Sequence, residues 1–119
     1  CQKSQNLNLP LQKNIDKYTA AIVDRALVPT DTKKVWVAKP DGCEACHGRG
    51  YKGRIAIFEA VFMDSAIETI LRTKPSEREI YQAARVQGIP SMQEDGIIKV
   101  LRGVTSMEEL KRVVDLDTI

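Results

Sequence analysis

Apolar residues recur at intervals of three and four through Leu11, Ile15, Tyr18, Ile22, Val23 and Ala26, just after Pro10. That spacing predicts an amphipathic helix opening near Pro10 and ending between Leu27 and Pro29. A polar turn, Thr30-Asp31-Thr32-Lys33-Lys34, leads into Val35-Trp36-Val37-Ala38. Its branched and aromatic residues predict a short strand, stopped by Pro40-Asp41-Gly42. The apolar run Ile55-Ala56-Ile57-Phe58-Glu59-Ala60-Val61-Phe62 predicts a second strand, so the loop between them would close a hairpin-like layout. After Met63 the apolar positions take helical spacing: Ile67, Ile70 and Leu71, then Ile80 and Ala84, then Met92 and Leu101, then Leu110, Val113 and Val114. Start signals precede them. Asp64 can cap the first, and Ser76-x-x-Glu79, Ser91-x-x-Glu94 and Thr105-x-x-Glu108 each place a hydroxyl three residues before an acid that can bond back. Gly88 and Gly103 fall where two of these helices must stop.

Composition narrows the class. With 119 residues, 43% hydrophobic and 29% charged, the chain can bury one ordinary core and is not disordered in character. Its net charge of +2 gives no reason to expect nucleic acid as a partner. No apolar run approaches the ~18 residues of a membrane helix and no signal-peptide pattern opens the chain, so direct membrane insertion is not expected. The first residue is Cys1 rather than Met, as expected of a fragment cut from something longer. Three cysteines are an odd number for a secreted disulfide framework, and a reducing cytoplasm fits better.

The segment Gly42-Cys43-Glu44-Ala45-Cys46-His47-Gly48-Arg49-Gly50-Tyr51-Lys52-Gly53-Arg54 carries the chemistry. Cys43 and Cys46 can be two ligands of one tetrahedral metal, a redox pair, or two buried apolar residues. A redox pair opens a helix, which the following glycines oppose. Those glycines instead let the backbone fold back on the thiolates, so metal, now or ancestrally, is favoured. The ligand set is incomplete. Cys1 offers a third thiol, but Ser4 stands where a fourth would be, and a serine hydroxyl stays protonated near neutrality. His47 adjoins Cys46 too closely to aim at the same ion. A zinc site of Cys1, Cys43 and Cys46 completed by water, Ser4 or an acid, and an empty site with reduced cysteines, both remain open.

Gly48-x-Gly50-x-x-Gly53 spells the dinucleotide fingerprint, but that fingerprint needs a strand before it and a helix after it. A strand is expected after it here. The same stretch half-matches a Walker A loop without its lysine and hydroxyl. Arg49, Lys52 and Arg54, with Lys39 nearby, form a basic cluster that is either a solvated face or a contact for phosphate or an acidic partner. Glu59 is expected to pair with such an arginine, and Trp36 to lie in the core. No nucleophile with its base and no paired carboxylates stand out, so no catalytic residue is assigned and the chain is not expected to be an enzyme alone.

The segment Gly42-Cys43-x-x-Cys46-x-x-x-Gly50-Tyr51-x-Gly53-Arg54-x-x-Ile57-x-Glu59 resembles the end of the bacterial type II secretion and type IV pilus assembly ATPases. So do Ser91-Met92-Gln93-Glu94-Asp95-Gly96-Ile97-Ile98-Lys99-Val100 and Gly103-x-Thr105-Ser106-x-Glu108-Glu109. The resemblance covers nearly the whole chain. It implies a piece of a homo-hexameric cytoplasmic motor, peripheral to the inner membrane, with a tetracysteine zinc subdomain beside a RecA-like core. ATP and magnesium would be bound only in that core, and the motor would act through an inner-membrane platform protein. The family's first Cys-x-x-Cys is Cys1-Gln2-Lys3-Ser4 here, which leaves zinc uncertain. A shorter match, Cys-x-x-Cys-x-Gly-x-Gly, is similar to the zinc modules of the DnaJ co-chaperones. The alternative to the motor is thus a stand-alone zinc-ribbon-like module, contacting nucleic acid or a client protein through Arg49, Lys52 and Arg54. The expected fold is α+β: a small two-stranded zinc-binding-like subdomain with an N-terminal helix over 1–63, followed by a compact bundle of about four short helices over 64–119.

Overall fold

The computed structural model describes residues 2–6, 9–20, 22, 24–29 and 34–116. Strand β1 (Gln2–Asn6) is followed by helix α1 (Leu9–Ala20) and strand β2 (Lys34–Ala38), and then by α2 (Ser65–Leu71), α3 (Glu77–Arg85), α4 (Met92–Leu101) and α5 (Met107–Val113). The fold is mixed and helix-rich. Short 3-10 turns occupy Arg25–Leu27 and Glu44–Cys46. The N-terminal helix ends at Ala20, earlier than its apolar spacing predicts, and the 3-10 turn takes over part of the remainder.

One core holds these elements. Ile15 and Tyr18 of α1, Val35 of β2, Ile97, Val100 and Leu101 of α4, and Met107 and Leu110 of α5 bury together with Val114 and Leu116. It therefore draws side chains from both 1–63 and 64–119. Complete burial of a residue such as Ile97 contributes about 1.5–3 kcal/mol. The Tyr18 hydroxyl donates to the Leu116 carbonyl at 2.9 Å, so the segment just after α5 is fastened to α1. Beyond this core, α2 packs on α3, α4 on α5 and α1 on α4. The four C-terminal helices thus pair off, and α4 turns towards α1.

Strand β2 forms as expected, but its partner is not the Ile55–Phe62 run. Antiparallel β1 lies beside it, with Ser4 opposite Trp36 and Gln2 opposite Ala38. Residues 54–63 carry no helix, strand, turn or bend. Their backbone is bonded by side chains of α4 and of the turn after α3 rather than by a strand: the Phe58 N–H donates to Asp95 Oδ2 at 2.9 Å, and the Phe62 N–H donates to Gln87 Oε1 at 2.9 Å. Gln87 Nε2 returns a bond to the Phe62 carbonyl at 2.7 Å. The expected hairpin is therefore replaced by a strap laid along α3 and α4.

The helix starts follow the caps. Asp64 Oδ1 accepts the Ile67 N–H at 2.9 Å. Ser76 with Glu79, and Ser91 with Glu94, form reciprocal capping boxes. The last start is shifted by one residue. Ser106, not Thr105, caps α5 and accepts the Glu109 N–H at 3.2 Å.

Candidate contact loop and thiol site

The loop after β2 is folded by successive left-handed residues. His47 (φ 52°), Gly48 (φ 76°) and Gly50 (φ 80°) bring backbone N–H groups round to one point. A Cβ on Gly50 would lie 2.6 Å from Ala38 Cβ, so this glycine lets the loop seat against β2. The N–H groups converge on Cys46. Its Sγ accepts from Cys43 N and from Gly50 N, each at 3.1 Å. The Gly48 N–H donates to the Cys43 carbonyl at 3.1 Å and closes the turn.

Burial raises the Cys46 thiol pKa, but backbone N–H bonds from Cys43, Gly50 and Gly48 outweigh it, and the net direction is down. Cys46 is buried and outside any disulfide, whereas Cys43 is disulfide-bonded. Cys1 lies outside the described residues. The backbone of Ser4 is fixed in β1, and its side chain is likewise outside the description. Among the described residues, no three His, Cys, Asp or Glu side chains gather as a metal site. The described donors therefore fit zinc only in part. Cys46 is surrounded as a thiolate ligand would be, without a described set to complete a tetrahedron.

Arg49, Lys52, Arg54 and Lys39 are all exposed. None of the four is in an ion pair among the described residues. Glu59, expected beside one of these arginines, instead accepts the Met92 N–H at the start of α4, at 3.4 Å. Trp36 is 40% exposed rather than in the core. Strand alternation turns Val35 inward and Trp36 outward, where it lies over Gly103. A Cβ at Gly103 would come within 2.6 Å of Trp36 Cδ1. The glycine fingerprint at Gly48–Gly53 runs straight into the strap, so no helix N-terminus follows it.

Two relationships escaped sequence reasoning. Tyr51, between the positive-φ glycines Gly50 and Gly53, hydrogen-bonds through its hydroxyl to Ser106 Oγ and anchors the loop to α5. A groove of about 470 Å³ then opens between the strap's first residues and α5. Neither partner of the Tyr51–Ser106 bond lies in a pattern that announces the other, 55 residues away. The Gly-Tyr-x-Gly spacing was the one available sign of a fixed aromatic.

No helix among the described residues is long and apolar enough to cross a membrane. Type II secretion system protein E of Pseudomonas aeruginosa is 41% identical over 91 residues, covering 76% of this chain and 17% of that relative. Type IV pilus assembly ATPase PilB of Thermus thermophilus is 44% identical over 69 residues, 58% of this chain and 8% of the relative. Type II secretion system ATPase E of Vibrio cholerae is 31% identical over 99 residues, 82% of this chain and 20% of the relative. The chain thus spans a small part of the curated relatives it matches. No solved structure matches it. The family described as Type II/IV secretion system protein matches residues 2–112, and the chain belongs to that family.

Proposed function

We propose that this chain is a non-catalytic C-terminal part of a secretion or pilus-assembly motor ATPase, supplying structural contacts between subunits and to an inner-membrane platform protein. One observation carries the non-catalytic half: the glycine-rich Gly48–Gly53 turn leads into the strap and not into a helix, so its backbone cannot present a helix N-terminus to a phosphate. ATP and magnesium belong, in this reading, to a RecA-like core elsewhere in the parent protein. That protein would work as a homo-hexamer in the cytoplasm, peripheral to the inner membrane. Within the chain, 1–63 carries α1, the loop and its basic residues, and 64–119 carries α2 to α5. Arg49, Lys52 and Arg54 are the contact residues, because they are exposed and free of ion pairs among the described residues.

Zinc is a separate part of the proposal. The two N–H bonds to Cys46 Sγ suit a thiolate, and with the Cys43 disulfide reduced, Cys46, Cys43 and Cys1 would form a structural clasp, with no fourth thiol at Ser4. The chain alone should hydrolyse no ATP above buffer. In the parent protein, charge reversal of Arg49, Lys52 and Arg54 together should impair secretion or pilus assembly while nucleotide binding persists. Turnover by the clean chain, lost on substituting one of its residues, would overturn the non-catalytic assignment. Normal assembly by the charge-reversed parent would overturn the contact assignment.

A further inference from the structure

The groove beside the loop has an apolar floor and a one-sided charge. Leu110 on its floor belongs to the core, and Ile57 packs against that core. Its rim adds Ile55, Val104 and Val113, which are 52%, 50% and 68% exposed. Lys52 and Arg54 stand on the strap side, exposed and without an ion pair among the described residues. The carboxylate among the lining residues, Glu109, is already held by Arg112 at 2.9 Å. Apolar surface that water must cover lies next to cationic groups that no described residue neutralises.

We propose that this groove docks a short peptide segment of a partner protein in which apolar side chains alternate with carboxylates. The apolar side chains would cover Ile57, Val104 and Val113, and the carboxylates would meet Lys52 and Arg54. A nucleic-acid strand fits less well. The aromatic ring lining the groove is Tyr51, whose hydroxyl is committed to Ser106, and apolar walls give phosphates nothing. A guanidinium beside an open apolar slot suits a carboxylate carried on an apolar backbone neighbour. The inference rests on the contact role proposed for the loop and names the chemistry of its partner.

The test uses the full chain and a fluorescein-labelled peptide of alternating leucine and glutamate, with a leucine–lysine peptide as its counterpart. Anisotropy should show binding of the acidic peptide, weakened by added salt, and none of the basic one. Lys52→Glu with Arg54→Glu should weaken it at least about tenfold, and Val113→Asp should do the same by a separate route. Thermal melts of each variant report whether the fold is kept; all three positions are exposed. Equal binding of both peptides would overturn the proposal, as would acidic-peptide binding indifferent to all three substitutions. Competition by inorganic phosphate or a single-stranded oligonucleotide at the peptide's own concentration would overturn it in favour of phosphate recognition. The parent protein separates the two readings. If K52E/R54E abolishes peptide binding but secretion is normal, the motor-contact role fails and the groove stands. If the parent is impaired yet the chain ignores the peptide, the groove fails and the contact role stands.

Discussion

Arg85, at the end of α3, places Nη1 2.8 Å from Oε2 of Glu94 in the first turn of α4. Glu94 is 2% exposed and takes the Ser91 N–H on the same oxygen at 2.9 Å. The Glu94 hydrogen bond raises the pKa of the Arg85 guanidinium against the opposing effect of burial. This pair ties the α2–α3 hairpin to the core. Arg85→Ala should cost about 3 kcal/mol, because it strands a buried carboxylate. Denaturant unfolding would read this as a lower midpoint. The double variant with Glu94→Ala should lose less than the sum of the two single losses.

Ser106 serves two partners at once, the Glu109 N–H of its own helix and the Tyr51 hydroxyl from the loop. Ser106→Ala should therefore destabilise by about 1–2 kcal/mol through the lost cap alone. Tyr51→Phe removes one hydrogen bond and should cost about 1 kcal/mol. Tyr51→Phe in the Ser106→Ala background should therefore add little. Full additivity in thermal melts would disprove the coupling.

Acid should loosen the helix starts. The Ile67 N–H, then the Gln87 side chain, lowers the pKa of Asp64; the Ser76 backbone N–H, then its hydroxyl, lowers that of Glu79. A depressed folded-state pKa contributes stability that is present above the unfolded values and lost as pH falls through the folded ones. Those unfolded values are near ~4 for both residue types. Melting temperature should thus fall below about pH 4, and Asp64→Asn with Glu79→Gln should flatten that fall. A double variant with an unchanged acid slope would show that the loss arises elsewhere.

Zinc content tests the thiol clasp directly. Under reducing conditions, Ser4→Cys should raise bound zinc towards one equivalent and raise the melting temperature with it, since ligand binding supplies folding free energy at such sites. A chelator should then reverse both. Zinc uptake that leaves the melting temperature unmoved would mean adventitious binding rather than a clasp.

Much of the helical half could be read from the sequence, because its signals are local. Asp64, Ser76 and Ser91 each cap a helix through a bond spanning three residues, and Gly88 and Gly103 stop α3 and α4 within a turn. Helix α5 starts one residue later than its first hydroxyl suggests because Thr105 and Ser106 are both good caps, and the Tyr51 hydroxyl bonds the second. The strap departs from its strand-like sequence for a related reason. Ile55–Phe62 has the composition of a strand, but a strand also needs a neighbour, and β1 is the one beside β2. Val35 and Trp36 show the same limit on one strand: alternation says that one is inside, while the position of Gly103 says what covers the other. The loop's three cations were legible as a cluster, but the apolar slot beside them needs residues 104 and 113 brought alongside 55 and 57.

The strap along α3 and α4 also governs how the isolated chain behaves at high concentration. Phe58 and Phe62 are 69% and 68% exposed, and their N–H groups are taken by Asp95 and Gln87. The N–H groups of Ile57, Glu59 and Val61 have no bond among the described residues, so one side of this backbone is open to another copy. Oily side chains beside unused amides make a sticky ribbon. Stocks of the chain will cloud as they are concentrated, and a lysine in place of Phe62 is the simplest way to keep them clear.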